Sequence, residues 1–421
     1  MSLYINIALY LGLVILTIYL LNRNFKIYYL YGLILYQTMT IIPSIIYIET
    51  GKYIAEQGRS GYFVGAVWYY AFFYLITLVF VYATSNTLKK IKLSTFELKI
   101  NHKPFEDKAI ITLVVVVFML LFFNLALSPI PLFGQVSRFE FWKYAKFPIL
   151  GKLFGNTAMF LPFSLGLLFK KYKKFTIFSM VLYFAYNFLI GQKFSPILSG
   201  SFSFFLPIVL ASSNQIKLKA ILKLKFILPA LLVVFSVYKI IYNKYEKTHP
   251  YAVIKIYNPN EAMLYRIFGL QGHLFWGATE TFAHKKIPVS WDPLELNYGM
   301  HKMMRYFSNA NKEKLEQNMK GGFSYTNAYP AVLFMIFPVS IAYLFHILIV
   351  VFILSLSGWI LMRLITNHSY LFAVVSFQFY IWTIYALTMG YFYKLKFGLI
   401  FNLLVLGLSY YYEQTKKIKH E

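Results

Sequence analysis

Long apolar runs separated by short polar stretches divide this chain, and that alternation predicts helices that cross a bilayer. About 20 apolar residues at 1.5 Å per residue span the hydrocarbon core. The run from Ala109 to Leu127 is long enough and holds no ionisable side chain. By the same pattern, spans are expected at 3–21, 28–47, 62–83, 109–127, 152–169, 175–190, 195–212, 226–242, 339–362, 369–391 and 397–412. The close pair 175–190 and 195–212 reads as a tight hairpin with Gly191-Gln192-Lys193-Phe194 at its tip. One helix over both would be nearly twice the bilayer thickness. The expected fold is all-α: a polytopic transmembrane bundle of about eleven spans.

Basic residues set the orientation. One set of short loops holds 20 Lys and Arg, including six Lys between 84 and 108, and the opposite set holds 9. The richer side is cytoplasmic, so the N-terminus faces out and the C-terminus in. Two outward segments exceed simple turns: 128–151 and the long stretch 243–328. The next stretch, Tyr329 to Pro338, is too apolar for an ordinary loop and reads as an interfacial or re-entrant piece. The chain thus divides into 1–242 with eight spans, 243–338 as a large outward loop with an amphipathic helix, and 339–421 with the last spans and tail.

Composition agrees. Of 421 residues 59% are hydrophobic and 13% charged, about half the charge usual in globular chains, and mean hydropathy is +0.58. Net charge is +26. In a soluble protein that would suggest nucleic acid, but here the bases serve topology, and no nucleic-acid motif is present. Cysteine is absent, which removes disulfides, thiolate metal sites and a Cys nucleophile. Phe and Tyr number 43 and 37. An AT-rich coding sequence would raise both, so the count by itself decides nothing.

None of the 15 acids lies inside an expected span, which disfavours an ion-coupled transporter. There is no HExxH, no DxD pair and no Gly-rich phosphate loop. The richest segment is Glu261 to Phe282, EAMLYRIFGLQGHLFWGATETF, with Asn260 as expected N-cap. At 100° per residue, Arg266, Leu270, His273, Gly277 and Glu280 share one helix face. Gly269 and Gly277 each weaken a helix by about 1 kcal/mol relative to Ala, so close approach of a ligand or another helix is expected there. The alternative is a solvated polar stripe, with Phe268, Leu274, Phe275 and Trp276 packed beneath.

The segment RIFGLQGHLFWG, the tip Gly191-Gln192-Lys193-Phe194-Ser195, the many spans and the large late outward loop together resemble the Wzy-type O-antigen polymerases. Arg266 and Gly277, eleven places apart, also fit a spacing of the loops of such proteins; the 128–151 loop does not repeat it, since Arg138 plus eleven is Ile149. The resemblance implies a glycosyltransferase of lipopolysaccharide biosynthesis in the bacterial inner membrane. It would join oligosaccharide repeat units carried on undecaprenyl diphosphate at the periplasmic face, without nucleotide sugar, cofactor or metal. Besides that substrate and membrane lipids, its implied partners are a chain-length regulator and a flippase. Carried onto these residues, Arg266, Arg138, Lys193 and Arg305 are candidates to hold the diphosphate, since cations stabilise such a leaving group. His273 and Glu280 are candidate bases for the acceptor hydroxyl, and Gln192, Gln271 and Trp276 are candidate glycan contacts. An O-antigen ligase shares the architecture, and a lipid-linked oligosaccharide flippase is the competing non-enzyme.

Overall fold

The computed structural model describes residues 2–60, 63–90, 104–136, 138, 140–192, 194–211, 235, 238–287, 300–309, 311–320, 327–390 and 393–418. In chain order the elements are α1 (Ser2–Arg23), α2 (Phe25–Leu30), α3 (Gly32–Glu49), the two-residue strands β1 (Tyr53–Ile54) and β2 (Arg59–Ser60), α4 (Ala66–Lys90), α5 (Pro104–Ala126), α6 (Phe141–Tyr144), α7 (Leu150–Leu168), α8 (Lys173–Leu189) and α9 (Phe194–Ala211). Then come α10 (Pro259–Leu264), a π turn (Tyr265–Gly269), α11 (Leu270–Ala278), a second π turn (Thr279–His284), α12 (Met300–Phe307), α13 (Lys312–Lys320) and α14 (Ala331–Ile336). The chain ends with α15 (Val339–Leu348), a third π turn (Ile349–Leu354), α16 (Ser355–Thr366), α17 (Tyr370–Met389) and α18 (Tyr393–Ile418).

This is a helical membrane protein. Among the described residues five helical stretches are long and apolar enough to cross a bilayer: Leu3–Arg23, Gly32–Glu49, Ala66–Asn86, Phe105–Phe133 and Tyr370–Met389. Four shorter apolar helices accompany them: Met159–Leu168, Pro196–Ala211, Val339–Leu348 and Ile400–Tyr412. Large apolar side chains remain exposed along these helices; Val115, Val116, Met119, Leu120 and Phe123 on α5 are examples. Lipid is the solvent that suits them.

Several expected boundaries move. The span at 28–47 breaks at Tyr31, between α2 and α3. The span at 226–242 lies mostly outside the described residues. The helix expected from Ala109 starts at Pro104, which brings Glu106 and Asp107 into its first turn, where carboxylates complement the helix dipole. Both are buried, so acids do head this apolar helix. Tyr329 to Pro338 contains α14, with Ala331 to Met335 buried. At about 9 Å it is too short to cross a bilayer. Phe337, in extended conformation, separates it from α15.

The chain forms two compact units. The first takes residues 1–87, 215–352 and 384–395. Within it Glu49, at the end of α3, accepts from the backbone N–H of Gly65 at 2.9 Å and of Val67 at 3.4 Å, capping α4. The Asn6 amide donates to its other oxygen at 3.0 Å. Deeper in, the Tyr329 hydroxyl bonds His346 Nδ1, and His346 Nε2 lies 2.9 Å from Thr77 Oγ1. Thr77 in turn donates to the Phe73 carbonyl at 2.9 Å. With Tyr329 donating to Nδ1, the imidazole is neutral with its proton on Nε2, and α4, α14 and α15 are tied by polar contacts that are all answered.

The second unit takes 88–214, 353–383 and 396–421. Glu106 accepts from the Tyr370 N–H at 2.6 Å, and Asp107 pairs with Lys171 at 2.9 Å. Phe163 stacks on Phe377 with centroids 4.0 Å apart.

Candidate functional site

The segment that carries the resemblance lies in the first unit. Its cap is Asn258 rather than Asn260: the Asn258 side chain accepts from the Asn260 N–H at 2.9 Å, and Pro259 takes the first helical position. Glu261 sits in the first turn as expected. The two π turns then change the geometry. Each holds about one residue more than an α turn and rotates the downstream helix by about 100°.

Arg266 therefore does not share a face with His273 and Glu280. It is exposed, with Nη1 3.4 Å from the Tyr251 hydroxyl. His273 and Glu280 are 1% and 2% exposed, and every residue from Gly272 to Ala283 is buried. The solvated-stripe alternative is overturned, because the helix has no wet face there. What buries it is helix contact. A Cβ on Gly272 would lie 2.8 Å from the Ser44 backbone of α3, and one on Gly277 2.5 Å from Gln57 Nε2. Close approach of neighbouring protein is what these glycines allow.

A short hairpin, 53–60, clamps the same helix. Ala55 N–H donates to the Tyr265 hydroxyl at 3.0 Å, and that hydroxyl donates to Glu56 at 2.9 Å. Gln57 Nε2 donates to the His273 carbonyl at 2.6 Å. Arg59, at the end of the hairpin, reaches both carboxylate oxygens of Glu280. Lys285 meets Glu280 Oε1 at 3.1 Å. The Arg59 guanidinium also lies 5.0 Å from the Trp276 ring centroid, a cation–π contact.

These contacts revise the expected roles. Glu280 has both oxygens engaged by cations, so it positions Arg59 and Lys285 instead of standing ready as a base. Trp276 is 0% exposed, and its indole N–H donates to the Phe63 carbonyl at 2.9 Å; no sugar can stack on it without unpacking the helix. His273 Nδ1 lies 2.9 Å from the Leu270 carbonyl, which places its proton there. Burial pushes its pKa below the usual value, and the negative Glu56 partly opposes this, so the ring is neutral at physiological pH. It is a buried ring, not one facing an acceptor hydroxyl.

The second π turn opens on a cavity. Phe282, Lys286, Phe334, Phe337, Val339 and Tyr343 are among the residues lining an apolar groove of about 790 Å³. Lys286, in its lining, is exposed, and the preceding Lys285 is half-exposed. Two cations, Arg59 and Lys285, thus hold one buried carboxylate, and the next residue, Lys286, lines the apolar groove.

Arg305 is exposed and gripped by Glu316, Nε to Oε1 at 2.5 Å and Nη2 to Oε2 at 3.3 Å. Gln271 is exposed. Arg138 and Gln192 belong to the second unit, where the Arg138 Cβ stands 3.0 Å from the point a Cβ on Gly191 would occupy. Lys193 lies outside the described residues. Among the described residues no three His, Asp or Glu converge as a metal site. Sequence reasoning missed Arg59, which entered only as a topology charge. Glu280 has a local cation in Lys285, and nothing in the pattern says that a second comes from the 53–60 hairpin.

No curated protein and no solved structure matches the chain. A family of unknown function (DUF6418) matches residues 293–405, about a quarter of the length. The match takes in α12 to α17 and stops short of Arg266 to Glu280.

Proposed function

We propose that the chain is an O-antigen polymerase that joins undecaprenyl-diphosphate-linked oligosaccharide repeat units. In this reading eleven spans cross the bacterial inner membrane, with the N-terminus periplasmic, the C-terminus cytoplasmic and the site at the periplasmic face. The observation that carries it is the apolar groove of about 790 Å³ lined at one point by Lys286, with Lys285 the preceding residue and Arg59 joined to Lys285 through Glu280. A polyprenyl diphosphate has that chemistry, a long apolar tail ending in two phosphates. Arg59 and Lys285, fixed by Glu280, would bind the leaving diphosphate and stabilise the charge that grows as the glycosidic bond breaks. The planar guanidinium suits phosphate oxygens, and cations held in place before reaction cost no reorganisation during it.

The test is the lipopolysaccharide ladder of a deletion strain. Loss of long chains, with one repeat unit still on lipid A-core, supports polymerase. A ladder unchanged by deletion refutes the reading. Polymer stranded on the carrier lipid instead assigns the ligase reaction.

A further inference from the structure

We propose that the segment joining α5 to α7, residues 128–151, lies in the plane of the bilayer interface and binds an anionic glycerophospholipid there. Lys143 and Lys146 take the headgroup, and Phe147 and Ile149 lie against the acyl chains. This site does not depend on the polymerase reading.

The segment is too apolar for a connection in water. Leu132, Phe133, Tyr144, Phe147 and Ile149 are all exposed, Ile149 at 74%. Water-facing surfaces rarely gather large apolar side chains so closely. The segment does have a core. Phe141 and Ala145, four places apart, are buried. The start of α7 lies against the Trp142 ring, which a Cβ on Gly151 would meet at 2.8 Å. The exposed side chains are what that packing leaves over, and they need a solvent of their own.

Two hydrogen bonds fix how deep the patch lies. The Phe147 N–H donates to Asn124 Oδ1 at 2.9 Å, and the Lys146 N–H donates to Ser128 Oγ at 2.9 Å. Asn124 is buried in the last turn of α5, so the segment folds back on that helix instead of rising away from it. Phe147 stacks on Phe123 with centroids 5.9 Å apart. Phe123 in turn continues the exposed stripe of Val115, Val116, Met119 and Leu120. The surface of α5 that faces lipid thus runs on into Phe147, and Ile149 follows two residues later. Trp142 and Tyr144 add the aromatic side chains that favour this level of a bilayer. Charge then decides the occupant. From 128 to 151 the sequence has three cations, Arg138, Lys143 and Lys146, and one acid, Glu140. Lys143 and Lys146 are exposed on either side of Tyr144. Long cationic side chains rising from an apolar surface reach the level of lipid phosphates, and anionic lipid answers them. A second copy of the chain would bring the same cations.

The chain has no cysteine, so one introduced cysteine carries a fluorescent label without further change. Full-length Ile149→Cys is labelled, with Glu313→Cys, an exposed position on the polar α13, as reference. Both are reconstituted in vesicles of phosphatidylcholine and phosphatidylglycerol in equal parts. The label at 149 should be quenched by brominated lipid, and several-fold less than the label at 313 by acrylamide in the water. Brominated phosphatidylglycerol should bind beside 149 about fivefold more tightly than brominated phosphatidylcholine, the effect of about one lysine near a charged surface. Adding Lys143→Gln/Lys146→Gln to Ile149→Cys should abolish that preference at an unchanged unfolding temperature, because both lysines are exposed. Acrylamide that reaches 149 as freely as 313 overturns the inference, since the segment then stands in water. Quenching by neither acrylamide nor lipid overturns it too, since another protein surface then covers the patch. Equal binding of the two lipids, or a preference that survives the double variant, overturns the anionic site.

Discussion

Removing Arg59 should expose how Glu280 is held. The Glu280 side chain is 3% exposed, and Arg59 reaches both of its oxygens. Arg59→Ala leaves that carboxylate buried with Lys285 at 3.1 Å as its remaining cation. Breaking a buried pair costs about 3–5 kcal/mol when the survivor is left uncompensated. Here Lys285 compensates in part, and the Arg59 side chain is 31% exposed, so about 2–3 kcal/mol is expected. The measurement is equilibrium unfolding of the purified protein in detergent, run as a double-mutant cycle with Glu280→Gln. The double variant should be more stable than Arg59→Ala alone, because the amide needs no counter-ion, and the coupling should exceed about 1 kcal/mol. Losses that simply add, with coupling below about 0.5 kcal/mol, would refute the clamp. The ladder gives a second readout. Arg59→Lys keeps charge but not the fork and should shorten the polymer at unchanged membrane abundance.

Gly272→Ala should cost about 1–3 kcal/mol, because its Cβ would meet the Ser44 backbone at 2.8 Å; unfolding midpoints check this, and an unchanged midpoint refutes the close crossing. His273 makes the first unit acid-sensitive. Its native pKa is lowered, so below about pH 6.5 the unfolded chain binds the extra proton and stability falls, by up to about 1.4 kcal/mol per pH unit, until the native ring protonates. Above about pH 6.5 both states are neutral and the contribution is complete; His273→Gln should flatten the profile, and an unchanged slope refutes the assignment. Arg266→Ala, at an exposed side chain bonded to Tyr251, should shorten the ladder less than Arg59→Ala does; the opposite order would move the diphosphate to Arg266.

The features legible in the sequence are those whose signals are local. Apolar runs are local, so helices were expected near their observed places, the tight pair around Gly191 included. The break at Tyr31 was not legible, because Tyr28 to Ile34 is apolar throughout and pattern alone carries no kink. Glu106 and Asp107 were read as loop residues because charge ends an apolar run even where the helix continues. The polar residues of Glu261 to Phe282 were legible, but their facing was not. A π turn is a shift of hydrogen-bond partner, and no residue type announces it. Arg59 was hidden for a different reason: its partner lies 221 positions away, and such pairings arise only when the chain is folded. The Tyr329, His346 and Thr77 contacts were hidden likewise, since each residue in isolation looks ordinary in an apolar setting.

The two π turns around α11 also say how this site can change over evolutionary time. Which side chains point toward the hairpin depends on chain length between Asn258 and Glu280, not on residue identity alone. Losing one residue within Tyr265–Gly269 would let that turn relax to α geometry and swing the rest of the helix by about 100°. Glu280 would then leave Arg59, and Gly272 would leave Ser44. Point substitutions can tune the charges of such a site, but its reading frame in space is set by insertions and deletions. Chains sharing this arrangement should therefore keep the number of residues separating the two turns fixed, and keep small residues where Gly272 and Gly277 stand.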